Sequence, residues 1–246
     1  MTFGRRQVEI AVAEDLGAFG AHDAIVAVDV IRATTTLATA LALGRRCYPA
    51  GSLHAAFELA GRLDEPLLAG EIAGAMPNGF ELNNSPSAIA RREDLNRPLV
   101  LLTTSGTRLL ASARPTQDVS AACLRNWSAE AERLVAYGCR HVALVGAATR
   151  GEFREEDQLC CAWIAARLLE DGFAAADAVT ADLVARWSEA PAAAATGGHS
   201  ADYLRRSGQL DDLEFVLEHV DDLDLTFTFD GVEVVATRSA FARRAA

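Results

Sequence analysis

The chain lacks the usual staples, anchors and nucleic-acid grips. Its cysteines, Cys47, Cys123, Cys139, Cys160 and Cys161, are odd in number and show no zinc-type spacing. That argues against a disulfide framework and a structural zinc, and they read as small buried hydrophobes. No apolar stretch is long and uninterrupted enough to span a bilayer. Residues 1–12 carry Arg5 and Arg6 without an apolar signal core, so a cytoplasmic location is expected. Positive charge is in deficit: 34 acids against 23 bases give a formal net charge of -11. Such a field repels a phosphate backbone and argues against general nucleic-acid binding. A small anionic substrate is still allowed, because a divalent cation and a few inward-facing arginines reverse the sign locally. Also missing are a Gly-rich loop ending in Gly-Lys-Ser or Gly-Lys-Thr, a dinucleotide fingerprint and a Gly-x-Ser-x-Gly elbow. His22, His54, His141, His199 and His219 show no ligand spacing, and only His199, beside Gly197-Gly198, is placed to enter a cleft from a loop.

Hydrophobic residues are plentiful, 50 % of 246, enough for one large α/β domain or two small ones. Val26, Val28, Val30 and Ile31 predict a strand over 25–31, buried on both faces. A helix over 35–43 follows, with Gly44 as its C-cap. Further strands are predicted at 47–49, 67–69, 99–102 and 141–145. Helices are predicted at 53–62 behind Ser52, and at 127–137, 155–169, 177–187, 200–206 and 209–220. Residues 225–229 and 232–236 alternate across Asp230-Gly231 and predict a hairpin. The order predicts an α/β fold: a mostly parallel sheet flanked by helices, with an antiparallel edge at the end. A weak break over 113–122 divides the chain into two similar α/β lobes, 1–117 and 118–246, with a cleft between them. Residues 73–86 read as a long shaped loop, and the alanine-rich 191–198 as a mobile connection.

Dense polar groups fall in four segments, 29–36, 70–86, 103–107 and 146–157. If the strands are parallel, these segments converge beyond the strands' carboxyl ends, where α/β sheets bind ligands. Asp29, Glu71 and Asp157 are the carboxylates expected nearest a cation such as Mg²⁺, which prefers oxygen ligands and keeps several waters. Each has a plainer reading: a capping acid, a loop salt bridge, and an ordinary acid at a helix start. Arg32, just past a buried strand, is the best anion clamp. Thr34, Thr35 and Thr36 mark one helix opening, Asn84 and Ser85 before Pro86 a second, and Ser105, Gly106 and Thr107 a third. Helix openings aimed at one cleft would supply N–H donors to a phosphoryl group. Arg150 and Arg154, around Gly151, suit a second anionic group such as a carboxylate or sulfonate, or are solvated surface residues.

At these residues the chain resembles the 2-phosphosulfolactate phosphatase (ComB-like) family. Asp29 to Thr36 matches the family's Asp-Val-(Leu/Ile)-Arg-Ala-(Ser/Thr)-Thr-Thr, and Gly70-Glu71 its Gly-Glu segment. Gly79-Phe80-Glu81-Leu82-Asn83-Asn84-Ser85-Pro86 matches Gly-Phe-(Asp/Glu)-x-Gly-Asn-Ser-Pro, with Asn83 in place of glycine. Thr103-Thr104-Ser105-Gly106-Thr107 matches Thr-Thr-Asn-Gly-Thr, with Ser105 in place of asparagine. Gly151, Phe153, Glu156 and Asp157 match Gly-x-Phe-x-x-Glu-Asp. The resemblance implies a two-lobed α/β fold and Mg²⁺-dependent hydrolysis of 2-phospho-3-sulfolactate, a step of coenzyme M biosynthesis in methanogens. It implies metal and catalytic roles among Asp29, Arg32, Glu71 and Asp157, and substrate contacts from the helix openings and Arg150 or Arg154. Asn83 can adopt the backbone that glycine supplies. Ser105 loses an amide and leaves a gap near the ligand, which shifts the expected substrate preference. The competing expectations are a phosphatase on a different small phosphate ester, a non-catalytic protein that binds small anions in a retained cleft, and, third, a lyase. Apolar helix faces make a homodimer reasonable.

Overall fold

The computed structural model describes residues 5–239. The chain opens with β1 (Gln7–Ala13), in which Val8 and Ile10 point inward. Glu9 and Gln7 dilute its apolar pattern, so the strand is not announced by the sequence. β2 (Ala24–Val28) stops just before Asp29, and α1 (Ala33–Ala42) begins at once. β3 (Cys47–Ala50) and α2 (Leu53–Ala60) follow, the latter capped by Ser52 Oγ accepting from the Ala55 N–H. β4 (Leu67–Gly70) leads into the long loop, then α3 (Pro86–Ala90), β5 (Leu99–Leu102) and α4 (Gly106–Ala111). Next come β6 (Val119–Ala122), α5 (Trp127–Ala136), β7 (His141–Ala147), α6 (Glu155–Glu170), β8 (Ala174–Ala175) and α7 (Ala178–Trp187). The chain closes with α8 (His199–Arg206), α9 (Leu210–Glu218), β9 (Leu225–Phe229) and β10 (Val234–Arg238).

The strands form one ten-stranded sheet in the order β4-β5-β3-β10-β9-β6-β2-β7-β1-β8. Two parallel sets, β3–β4–β5 and β6–β2–β7–β1–β8, flank the antiparallel β9–β10 hairpin. The expected antiparallel edge is therefore a correction: the hairpin lies inside the sheet, where β9 pairs with β6 and β10 with β3. Period-2 patterning identifies a hairpin but carries no information about its neighbours. The break expected over 113–122 contains β6, a central strand. Its Val-Ser-Ala-Ala sequence has little β propensity, and full burial on both sides specifies it instead. β1 and β2, from the first half of the chain, pair with β7 and β6 from the second, so the sheet runs unbroken across position 117. The 191–198 segment is also tighter than expected. It forms a 3-10 turn (Ala192–Thr196) that buries Ala195 against the core.

Alternation along β2 explains its continuous apolar run. Ile25 and Ala27 enter a cluster with Leu37 and Leu101, whereas Ala24, Val26 and Val28 enter one with Leu144 and Ile164. All five cysteines are free and buried, as their spacing implies.

Candidate functional site

A cavity of about 580 Å³ lies beyond the ends of β2, β4, β5 and β7, and Asp29, Glu71, Ser105 and Arg150 all line it. The four polar segments of the sequence thus meet. A shared strand direction is not the reason, because the antiparallel hairpin sets the β3–β4–β5 ladder in the opposite sense to the β2 ladder.

Asp29 forms the floor and is 8 % exposed. Its Oδ1 accepts from the Ala33 N–H at 3.1 Å, while Thr34 Oγ1 donates to its backbone carbonyl at 2.7 Å. A Cβ placed on Gly106 would come within 2.4 Å of Asp29 Oδ2, so the start of α4 packs directly on the carboxylate. Burial, with the Glu71 charge adding to it, pushes the Asp29 carboxyl up to about 6, against the pull of the Ala33 and Gly106 N–H groups and of Arg32. The Ile31–Arg32 peptide beside it is cis.

Glu71 ties two loops together. Its Oε1 accepts from the Thr104 N–H at 2.7 Å, and its Oε2 from Thr104 Oγ1 at 2.7 Å and from the Gly74 N–H at 2.6 Å. Ser105 lines the cavity, its hydroxyl hydrogen-bonded to that of Thr149 at 3.0 Å. Asn84 lines it too, its Oδ1 accepting from Thr36 Oγ1 at 2.8 Å.

Arg32 reaches the cavity but is already held. Its Nη1 donates to Asp212 Oδ2 and Gln209 Oε1, each at 2.5 Å, and both members of the ion pair are buried. The other Asp212 oxygen accepts from Ser85 Oγ and Ser87 Oγ, each at 2.6 Å. Arg32 and α3 are therefore joined through one carboxylate of α9. Sequence reasoning missed Asp212 and Gln209, because acids in the first turn of a helix carry no mark of a distant partner.

Several expected contact residues lie away from the cavity lining. Thr35 Oγ1 donates to the Val30 carbonyl at 2.7 Å, and the Thr34 and Thr36 hydroxyls are engaged as described. Thr107 is buried against Thr103, with the Thr103 N–H donating to its hydroxyl at 2.7 Å. Ser85 caps α3. These groups build the walls and do not face the space between them. Asp157 also stands behind the floor, its Oδ1 accepting from the Val30 N–H at 2.7 Å. Burial first, then the Glu156 and Asp29 charges, push its carboxyl well above the ordinary range. Glu156, buried beside it, is raised to about 7, burial again being the larger cause. Its Oε2 has no hydrogen-bond partner among the described residues. Among the described residues no group of three His, Cys, Asp or Glu side chains is arranged to hold a metal ion.

The rim is basic. Arg154 donates to Glu152 Oε2 at 2.7 Å and to His199 Nδ1 at 3.0 Å, and His199 lines the cavity from the first residue of α8, where the sequence suggested a loop. Arg150 and Arg206 also line it. Neither Arg206 nor Tyr203 on α8 belongs to any motif of the sequence, so nothing in the local pattern marks them.

The family model described as 2-phosphosulpholactate phosphatase matches residues 11–228. The chain belongs to the 2-phosphosulfolactate phosphatase family. A protein of Parasynechococcus marenigrum (strain WH8102), described as a probable 2-phosphosulfolactate phosphatase, is 34 % identical over 239 residues, covering 93 % of this chain and 94 % of its own. One of Synechococcus sp. (strain CC9605), with the same description, is 37 % identical over 198 residues, covering 77 % and 82 %. In Pseudothermotoga lettingae a third so described is 37 % identical over 151 residues, 60 % of this chain and 64 % of that one. Membership in the 2-phosphosulfolactate phosphatase family supports phosphatase activity on a small phosphorylated acid. The family motifs contribute Asp29, Arg32, Glu71, Asn84 and Ser105 to one cavity lining.

Proposed function

We propose that the chain is a Mg²⁺-dependent phosphatase that hydrolyses 2-phospho-3-sulfolactate, or a closely related small phosphorylated acid, to the hydroxy acid and phosphate. The observation that carries this reading is the meeting of an acidic floor, Asp29 and Glu71, with an arginine rim in one cavity of about 580 Å³. That volume suits a small ligand. The cavity would lie between the β3–β4–β5 set and the β6–β2–β7–β1 set, the two-lobed arrangement the resemblance implies.

The donor chemistry fits a magnesium held by few protein oxygens. Asp29, Glu156 and Asp157 repel one another in a buried layer, and one Glu156 oxygen lacks a hydrogen-bond partner among the described residues. A divalent cation would offset that excess of negative charge. Magnesium typically uses one or two carboxylates with water and substrate oxygens, so Asp29 and Glu71 would suffice, with Asp157 holding the Val30 backbone behind them. When bound, the ion supplies charge neutralisation and polarisation of the phosphoryl group. Asn84 and Ser105 would orient the phosphoryl oxygens by hydrogen bonding, and the rim arginines would take the second anionic group. Arg32, fixed by Asp212, would present its remaining N–H groups at the same end.

Release of inorganic phosphate from 2-phospho-3-sulfolactate, measured with and without Mg²⁺, tests this reading. Wild type should turn it over, and Asp29→Ala should lose at least about a hundredfold in kcat/KM. Equal turnover by the variant would defeat the site assignment. Preference for another short phosphate ester would redirect the substrate to one that fills the space beside Ser105.

A further inference from the structure

The chain contains no lysine, and all 23 of its basic side chains are arginine. Four of them, Arg32, Arg150, Arg154 and Arg206, line the cavity, and they differ in what already holds them. Arg32 is buried against Asp212 and Gln209, and Arg154 is bonded to Glu152 and His199. Arg150 and Arg206 are exposed at the rim, and neither has a side-chain hydrogen bond or ion pair among the described residues. Arg150 belongs to the strand-end loop that the sequence singles out. Arg206 belongs to no motif, and it ends α8.

α8 is mounted on the site at two points. Ala201 and Leu204 pack with Leu213 and against Ile31, the residue next to Arg32. Tyr203 Oη donates to the Gly74 carbonyl at 3.0 Å, and the Gly74 N–H in turn donates to Glu71 Oε2 at 2.6 Å. Gly74 has φ +86, and a Cβ there would come within 2.3 Å of Tyr203 Oη, so the close approach requires glycine. α8 is thus fixed both to the floor and to the loop that carries the floor's second carboxylate.

We propose that Arg206 is a specificity-determining residue that reads the second anionic group of a small phosphorylated acid, with Tyr203 as its positioning residue. The inference rests on the phosphatase reading for the class of substrate. A phosphoryl group drawn to the floor leaves the rest of a short acid facing the rim. There an arginine without a partner meets a carboxylate or sulfonate through paired N–H bonds, with no existing bond to break. The rim is also the place where positive charge counters the net charge of -11 and captures an anion from solution. Arg206 therefore acts on affinity, and the chemical step stays with the floor.

The experiment compares wild type, Arg206→Ala, Arg206→Lys, Tyr203→Phe and the Arg206→Ala/Tyr203→Phe double variant. Binding of 3-sulfolactate and of inorganic phosphate is measured by calorimetry. Turnover of 2-phospho-3-sulfolactate is compared with turnover of ethyl phosphate, which has no second anionic group. Arg206→Ala should weaken 3-sulfolactate about tenfold or more while leaving phosphate within about twofold, with Arg206→Lys in between. KM for the acid should rise at unchanged kcat, and KM for ethyl phosphate should not move. Tyr203→Phe should show the same selective loss in smaller measure and add nothing to Arg206→Ala. Equal weakening of both ligands, no weakening of 3-sulfolactate, or failure of wild type to bind it overturns the proposal. Arg206-dependent binding of 3-sulfolactate without phosphate release from either ester would sink the phosphatase reading and leave the anion assignment standing. Hydrolysis of both esters with Arg206→Ala indistinguishable from wild type would do the reverse.

Discussion

Arg32 and Glu156 show how differently two buried charges can be kept. Arg32 is paired and hydrogen-bonded, so its removal strands the Asp212 carboxylate in the interior. Arg32→Ala should cost about 3–5 kcal/mol, read as a lowered denaturant midpoint. The variant therefore reports on folding as well as binding, and Asp29 is the cleaner probe of the site. Glu156 is in the opposite condition, raised from its ordinary 4.5 to about 7 by burial and neighbouring acids. A folded-state value above the unfolded one gives stability that is full below about pH 4.5 and lost as pH rises through 7. In protein stripped of divalent cations, Glu156→Gln should thus be stabilising on the order of 2 kcal/mol at pH 8 and near neutral at pH 4. An equal difference at both pH values would refute the assignment. Asp29 was readable in the sequence because an acid ending an apolar β-branched run is locally unusual. Asp212 was not, and the motif that includes Glu156 gave no sign of its buried, unpaired oxygen among the described residues, because acids in a helix's first turn are ordinary until their tertiary surroundings give them meaning.

Elements meet at this site through glycines, and that sets sharp tests. A methyl group on Gly106 would meet Asp29 Oδ2 at 2.4 Å and Ala33 Cβ at 2.6 Å, which would force α4 away from α1. Gly106→Ala should cost about 1–3 kcal/mol by overpacking and lower kcat/KM more than its effect on stability accounts for. At Gly70 the obstacle is backbone: φ is +144, and a Cβ would lie 1.9 Å from the Leu102 carbonyl oxygen of β5. Gly70→Ala should destabilise more than Gly106→Ala in a parallel denaturation series, since a backbone atom cannot turn aside. The elements themselves were largely readable. β5 falls where its apolar run predicts, and α2 starts behind Ser52 as expected. β1 and β6 were not, because their alternation is diluted by polar or small residues and only the neighbouring strands make them strands.

Across the whole molecule, the ladders are uneven. β1 and β7 share seven registered pairs, whereas β3 and β10 share the single pair Val234–Cys47. That seam joins the β3–β4–β5 set to the hairpin, with the Arg46–Glu233 ion pair as an exposed tie beside it. Amide hydrogens along β10 facing β3 should exchange at least about tenfold faster than those of the β1–β7 ladder, and equal protection would contradict a weak seam. The sequence by itself determined the α/β class, the free buried cysteines, the hairpin and the motif residues, because each is written in local periodicity or in short spacing. Tertiary structure alone decided the hairpin's interior position, the turning of the threonine hydroxyls into the walls, and the arrival of α8 with Tyr203 and Arg206 at the rim. The hairpin's position and the arrival of α8 depend on contacts between segments more than a hundred residues apart, and the threonine hydroxyls turn to backbone and side-chain acceptors that only the folded loops present, so neither periodicity nor spacing records them.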